Sequence, residues 1–322
     1  MKVFITGATG FLGGHLVVHL RQAGHEVRCL VRAGSGRDAR PPDVALVEGD
    51  LDDADALSRG IEGVDAVIHA GALTRKLQES RERLFRVNEG GTISVLDACE
   101  RASAPPRFVL VSTLSAVGPS FGGAPIDEQQ PCRPMTDYGA SKLAAEQVTL
   151  ARSERLPVVV VRLPGIYGER DPNLLRLFRL VSRGVRPAGD RQVAFVHARD
   201  AAEALLLASS SPRAPGETYH ANGEEPTVGD VGLAIAEALG VKAVPFPMPA
   251  GLVFAAAAFS EGLARVRRRQ ATLDWQKARD LTATWRVSSV KLRRSLGWTP
   301  THTFAGSMTA LLADYRARGL LR

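Results

Sequence analysis

Cysteine is scarce: Cys29, Cys99 and Cys132 are the only three in 322 residues. An odd number with no metal-ligand spacing excludes a disulfide framework and a zinc module, and reads as reduced thiols in a cytoplasmic protein. The chain does not open on a charged stretch followed by a cleavable apolar run, so secretion is not expected. No apolar run reaches the ~18 residues that span a bilayer. Flexible linkers, internal repeats and low-complexity tracts are also missing. Lys and Arg number 41 against 34 Asp and Glu, but the arginines are scattered among acids. A nucleic-acid partner would ask for a basic stripe; small anionic molecules explain the excess better. Hydrophobic content of 45% and charged content of 23% suit a globular chain with a large core, in one domain or two lobes.

The first half alternates with regularity. Lys2–Thr6 reads as a buried strand, and Gly7-Ala8-Thr9-Gly10-Phe11-Leu12-Gly13 follows before the helical pattern Leu16, Val17, Leu20. Gly7 suits a tight turn, Gly10 a close approach of pyrophosphate to the backbone, and Gly13 the packing of helix on strand. The helix start then offers free N–H groups and the positive dipole end to phosphate; the plainer alternative is a glycine-rich structural turn. The second strand, 25–32, ends on Arg32 with Arg37 in the loop beyond, and carries no acid to hold a ribose 2′-hydroxyl. Guanidiniums there suit a 2′-phosphate, hence NADP(H) over NAD, unless they are solvated loop arginines. Further strands are expected at 44–47, 66–72, 107–113 and 156–163, with helices at 52–60, 79–85 and 88–101 between them. This rhythm predicts an α/β fold with a doubly wound parallel sheet, ligands lying at the strands' carboxyl ends.

Tyr138 and Lys142 stand four apart, one turn along a helix face. A cation about 5 Å from a phenol, at an effective dielectric of ~20, favours the phenolate by roughly 3 kcal/mol. That would bring Tyr138 toward acid-base use at neutral pH. A tyrosine on a buried face with lysine at the rim is the structural alternative.

Together, Thr6-Gly7-x-x-Gly10-x-x-Gly13, Asp50-Leu51, His69-Ala70-Gly71-Ala72, Val87-Asn88, Ser112-Thr113 and Tyr138-x-x-x-Lys142 resemble the extended short-chain dehydrogenase/reductases, the NAD(P)-dependent epimerase/dehydratase group. The likeness runs through essentially the whole chain. It implies a Rossmann-type sheet with a smaller C-terminal substrate lobe, the first from 1–165 plus about 193–212, the second from about 166–192 and 213–322. It implies that Asp50 and Leu51 meet the adenine, that Ala70, Gly71 and Ala72 line the dinucleotide, and that Asn88 holds the sheet near the site. Gly7, Thr9, Gly10, Phe11, Leu12, Arg32, Ser112, Pro164 and Ile166 join them around the cofactor. Thr113, Tyr138 and Lys142 would be catalytic, with Tyr138 and Lys142 also touching cofactor; Ser112 and Ser115 compete with Thr113. Asp50 as a helix cap and Asn88 as a core amide remain alternatives.

Further on, Pro164-Gly165-Ile166-Tyr167-Gly168 resembles the family's turn toward substrate, with Leu163 where a proline is usual. Phe195–Asp200 resembles its strand-to-helix junction, where Asp200 would cap a helix over 201–208 and His197 would be structural. Residues 216–220 and a helix at 228–239 are assigned to the smaller lobe. So is the family ending, Leu296-Gly297-Trp298-Thr299-Pro300 with a helix at 304–318. Val193 replaces an arginine that binds diphosphate in nucleotide-sugar members, and Arg191 lies two residues earlier on the same strand face. The apolar run 247–259, followed by Arg265, Arg267, Arg268 and Arg269, resembles the dihydroflavonol-reductase-like and 3β-hydroxysteroid-dehydrogenase-like branches. It reads as an apolar substrate wall, a packing or homodimer helix, or an interfacial membrane contact across 249–269. The expected activity is NADP(H)-dependent oxidoreduction of a carbonyl/alcohol pair on a small, partly apolar molecule. The rivals are a nucleotide-sugar epimerase or dehydratase that retains its cofactor, and a non-catalytic NADP-sensing scaffold. No metal is expected.

Overall fold

A computed structural model of the chain describes residues 1–34, 44–74, 80–120, 123–267 and 273–321, with the side chains of 265–267 left out. Arg37, Arg268 and Arg269 lie outside the described residues. Seven parallel strands form the central sheet: β1 (Lys2–Thr6), β2 (Glu26–Val31), β3 (Ala45–Glu48), β4 (Ala66–His69), β5 (Arg107–Thr113), β6 (Val158–Leu163) and, beyond three short strands, β10 (Thr218–His220). Their spatial order is β10-β6-β5-β4-β1-β2-β3, so the winding reverses between β1 and β4. Ligands bind in a crevice at such a reversal.

Alternation along each strand divides the core. Val3 and Ile5 pack to one side with Val109, Val159 and Val161, under α1 (Phe11–Gln22) and α7 (Ala198–Ser210). Phe4, Phe108, Leu110, Val158 and Val160 pack to the other. That side carries α2 (Ala54–Ile61), α4 (Gly91–Arg101) and α5 (Asp137–Leu150), while the short α3 (Arg81–Phe85) lies against α5. A strand buried on both faces needs the unbroken β-branched run that Val158–Val161 supplies, each side chain contributing roughly 1.5–3 kcal/mol.

The remaining elements are β7 (Gly165–Tyr167), α6 (Pro172–Val181), β8 (Val185–Ala188), β9 (Phe195–His197), α8 (Val228–Leu239), β11 (Val244–Pro247), α9 (Ala250–Arg267), α10 (Trp275–Thr282), α11 (Val290–Leu296) and α12 (Phe304–Ala317). Phe178, Ile235, Met308 and Leu311 form a separate apolar cluster from α6, α8 and α12.

Two placements differ from the sequence reading. Residues 218–220, assigned there to the smaller lobe, form β10 and complete the central sheet beside β6. A three-residue strand is too short to declare itself by periodicity. Trp298 likewise packs into the sheet core and donates from Nε1 to the Asp200 carbonyl at 2.9 Å.

Candidate active site

The loop from β1 to α1 is shaped by what a side chain would strike. Gly7 has φ +77°, and a Cβ there would lie 2.6 Å from the Ala70 carbonyl and the Gly71 nitrogen. At Gly13 a Cβ would sit 2.1 Å from the Gly7 oxygen. Gly10 caps α1 without a side-chain hydrogen bond, and the first turn holds no acid. The opening N–H groups of α1 and its positive dipole end are therefore free for an anion. Thr9 is exposed, and Phe11 and Leu12 are half-buried at this mouth. Across the winding reversal lie Ala70, Gly71 and Ala72, also half-buried. This cradle fits a dinucleotide pyrophosphate.

Arg32 is exposed at the end of β2. Asp50 is exposed and accepts the Leu51 N–H at 2.8 Å, while Asp53, not Asp50, caps α2. Leu51 packs toward Gly91, where a Cβ would lie 2.8 Å from its Cδ1. Pro164 and Ile166, half-buried, carry the chain away from the carboxyl end of β6.

A directed hydrogen-bond chain ties this cradle to α5. Thr92 spends its hydroxyl proton on the Asn88 carbonyl at 2.5 Å, so it accepts from His69 Nε2 at 3.1 Å. His69 Nδ1 is then the acceptor of the Thr6 hydroxyl at 2.6 Å, and Thr6 Oγ1 accepts from Gly71 N–H at 3.0 Å. Burial, with the Lys142 charge nearby, holds His69 down at about 3, so the ring stays neutral and the direction is fixed. Asn88 sits in a π-helical turn, Arg86–Gly90. Its Oδ1 accepts from Leu73 N–H at 2.7 Å; its Nδ2 donates to the Leu73 carbonyl at 3.1 Å and to Ser141 Oγ at 2.9 Å. Ser141 passes its proton to the Tyr138 carbonyl at 2.8 Å.

Tyr138 lies in the first turn of α5, which Thr136 caps by accepting from Gly139 N–H at 3.0 Å. Gly139 admits a close approach: a Cβ there would be 2.1 Å from the Ser115 carbonyl. The helix start is thereby drawn against the turn that follows β5. Thr113 Oγ1 accepts from Ser115 N–H at 3.2 Å, and the Thr113 hydroxyl acts on the Tyr138 phenol to lower its pKa. Ser112 faces the opposite way, its hydroxyl bonded to Glu146 inside the core, so it is not open to a dinucleotide. Alternation along the strand explains the split and leaves Thr113 beside the phenol.

The charges correct one expectation. Burial pushes Tyr138 up to about 12, with the neighbouring Thr113 hydroxyl pulling the other way, and Lys142 is not among the causes of the shift. The sequence reading expects Lys142 to lower this pKa; here desolvation of the phenol outweighs it. Lys142 itself is 1% exposed and makes no hydrogen bond to any described residue. Burial brings it down to about 8, against the pull of Glu146 one turn on. Glu146 is gripped by Arg162, Nη2 to Oε2 at 2.7 Å and Nε to Oε1 at 3.0 Å. Sequence reasoning missed Glu146, although its position four beyond Lys142 carried the signal; His69 entered only as part of a motif, and Thr92 left no signal beyond its polarity.

Asp200 also departs from expectation. His197 caps α7 with Nδ1, accepting from Arg199 N–H at 3.3 Å. Asp200 instead accepts from Thr301 Oγ1 at 2.9 Å and His302 N–H at 3.1 Å, tying α7 to the segment before α12. His197 is buried and stacks on His302 at 4.1 Å.

Residues 3–222 match the NAD dependent epimerase/dehydratase family. A 3 beta-hydroxysteroid dehydrogenase/Delta 5-->4-isomerase of Mycobacterium tuberculosis is 33% identical over 249 residues, covering 70% of this chain but 65% of that protein. Sterol demethylase protein B of Methylococcus capsulatus is 31% identical over 333 aligned positions, covering 100% of each chain. The solved UDP-glucose 4-epimerase of Thermus thermophilus, in complex with NAD, superposes with a TM-score of 0.75 at 27% identity, covering 98% of this chain and 99% of that one. The chain belongs to the NAD-dependent epimerase/dehydratase family, within the extended short-chain dehydrogenase/reductases.

Proposed function

We propose that the chain is an NADP(H)-dependent oxidoreductase that interconverts a carbonyl and an alcohol on a small, partly apolar molecule. The observation that carries this reading is the buried Tyr138 phenol, set on one helix with a buried Lys142 that makes no hydrogen bond among the described residues. Bound nicotinamide dinucleotide supplies or accepts the hydride. Tyr138 exchanges a proton with the substrate oxygen, and its raised pKa keeps it a proton donor in the reducing direction. Thr113, whose oxygen accepts from Ser115 N–H, turns its hydroxyl proton from the phenol to the developing oxyanion when substrate is bound. Lys142 holds the nicotinamide ribose and stabilises charge arising on the phenol. Arg32 contacts the 2′-phosphate.

The steroid and sterol names of two relatives support a lipophilic substrate. Val193 packs in an apolar cluster where it offers nothing to a diphosphate, and Arg191 spends one N–H on the Ala283 carbonyl at 3.3 Å. The full-length likeness to a UDP-glucose 4-epimerase keeps a nucleotide-sugar reading as second. Purified protein assayed with NADPH and NADH against lipophilic ketones decides. Turnover with NADPH, and no thermal stabilisation by UDP- or GDP-sugars, supports the oxidoreductase. Co-purifying NAD(H) with stabilisation by a nucleotide sugar supports the epimerase.

A further inference from the structure

Helix α9 is built inside out for water. Its exposed stripe runs Leu252, Ala255, Ala256, Phe259 and Leu263, the spacing of one helix face, with Leu252 57% and Phe259 73% exposed. The polar side chains between 252 and 263 are engaged: Ser260 Oγ accepts from Leu273 N–H at 3.1 Å and Glu261 from Trp275 N–H at 2.9 Å. Just before it, residues 244–252 are all exposed and carry no charge, with Val244 at 68% and Phe246 at 55%. An apolar surface of this extent marks an interaction site.

Cations accompany this face. Lys242 is exposed just before β11, Arg279 is exposed on α10, which packs on α9, and the sequence places Arg265 and Arg267 in the last turn of α9, with Arg268 and Arg269 next along the chain. The acids nearby are engaged: Glu261 as above, and Asp274 in capping α10. An apolar stripe accompanied by cations complements an anionic lipid surface, headgroups meeting lysine and arginine while the stripe enters the acyl boundary. A second copy docked face to face would set these cations against one another.

The face also adjoins the catalytic helix. Phe254 packs on Trp275 at 4.6 Å between ring centroids. Gln276 accepts from Asp137 N–H at 3.2 Å and returns a hydrogen bond to Asp137 Oδ2 at 2.8 Å, immediately before Tyr138.

We propose that β11 and the outer stripe of α9 dock on an anionic bilayer, from which an apolar substrate reaches the site beside Tyr138. The delivery half rests on the oxidoreductase reading above; the docking half does not.

The test is sedimentation of the full chain with vesicles of phosphatidylcholine alone, or with about a third phosphatidylglycerol. Wild type should pellet with the anionic vesicles and less so at high salt. The double variant Leu252→Asp with Phe259→Asp should lose binding by at least tenfold. Its melting temperature and NADPH oxidation with a short water-soluble ketone should stay unchanged. No pelleting at low salt, or equal pelleting of the variant, overturns the docking surface. So does a lipid-free dimer that the variant dissolves, which would assign the face to a second copy. Docking without faster turnover of a vesicle-held ketone overturns delivery alone. Docking by a protein that turns over no carbonyl sinks the oxidoreductase reading instead.

Discussion

Glu146 receives the Arg162 guanidinium at 2.7 Å and stands one helical turn beyond Lys142. Arg162 fixes the carboxylate in place, and the carboxylate favours the charged form of a lysine that burial would otherwise strip of its proton. The Tyr138 site thus depends on an ion pair two turns away.

Lys142 titrates at about 8, below its usual range, so turnover that needs the ammonium falls as pH rises through that value. Glu146→Gln removes the favourable charge and leaves Arg162 opposed to Lys142. The alkaline limb should then move down by about one pH unit. The kcat–pH profile checks this; a limb that stays put reduces Glu146 to a packing role.

Lys142→Met should stabilise the protein without cofactor. A lysine whose folded pKa is lowered destabilises the fold while charged, and that penalty fades as pH rises from about 8 toward its unfolded value. Removing it gains roughly 1–3 kcal/mol at pH 7. Chemical denaturation at pH 7 and pH 10 measures it, the gain shrinking at the higher pH. Turnover should be lost.

Tyr138→Phe removes the proton donor and keeps the ring. Turnover should fall by about 10²–10⁴-fold. Cofactor affinity, read by fluorescence titration, should change less than about twofold. Activity near wild type removes Tyr138 from its role.

Arg32→Ala separates the two cofactors. The dissociation constant for NADPH should rise about tenfold, and that for NADH should barely change. Equal effects mean that Arg32 is a surface charge.

The sheet was legible because buried parallel strands demand uninterrupted apolar runs, as at 107–113 and 156–163, and because Gly7 and Gly13 stand where nothing larger fits. Tyr138 and Lys142 were legible as a spacing, but not the sign of the phenol's shift, which comes from how deeply it lies rather than from its neighbour in sequence. Asp200 misled because an acid at a helix start ordinarily caps it. Its partners Thr301 and His302 are about a hundred residues away and left no local mark. The choice of Thr113 over Ser112 required knowing that the Ser112 hydroxyl is spent on Glu146, further along α5, while Thr113 acts on Tyr138 at its start.

The β10 strand has an engineering consequence. Because the chain returns at 218–220 to flank β6, a truncation after about residue 212 would uncover a row of unpaired backbone groups along an all-valine segment. Such a fragment would present an adhesive edge to its own copies. Chimaeras that exchange substrate specificity with relatives should therefore retain 216–222 and the Trp298 anchor from the recipient, grafting only the pieces between them.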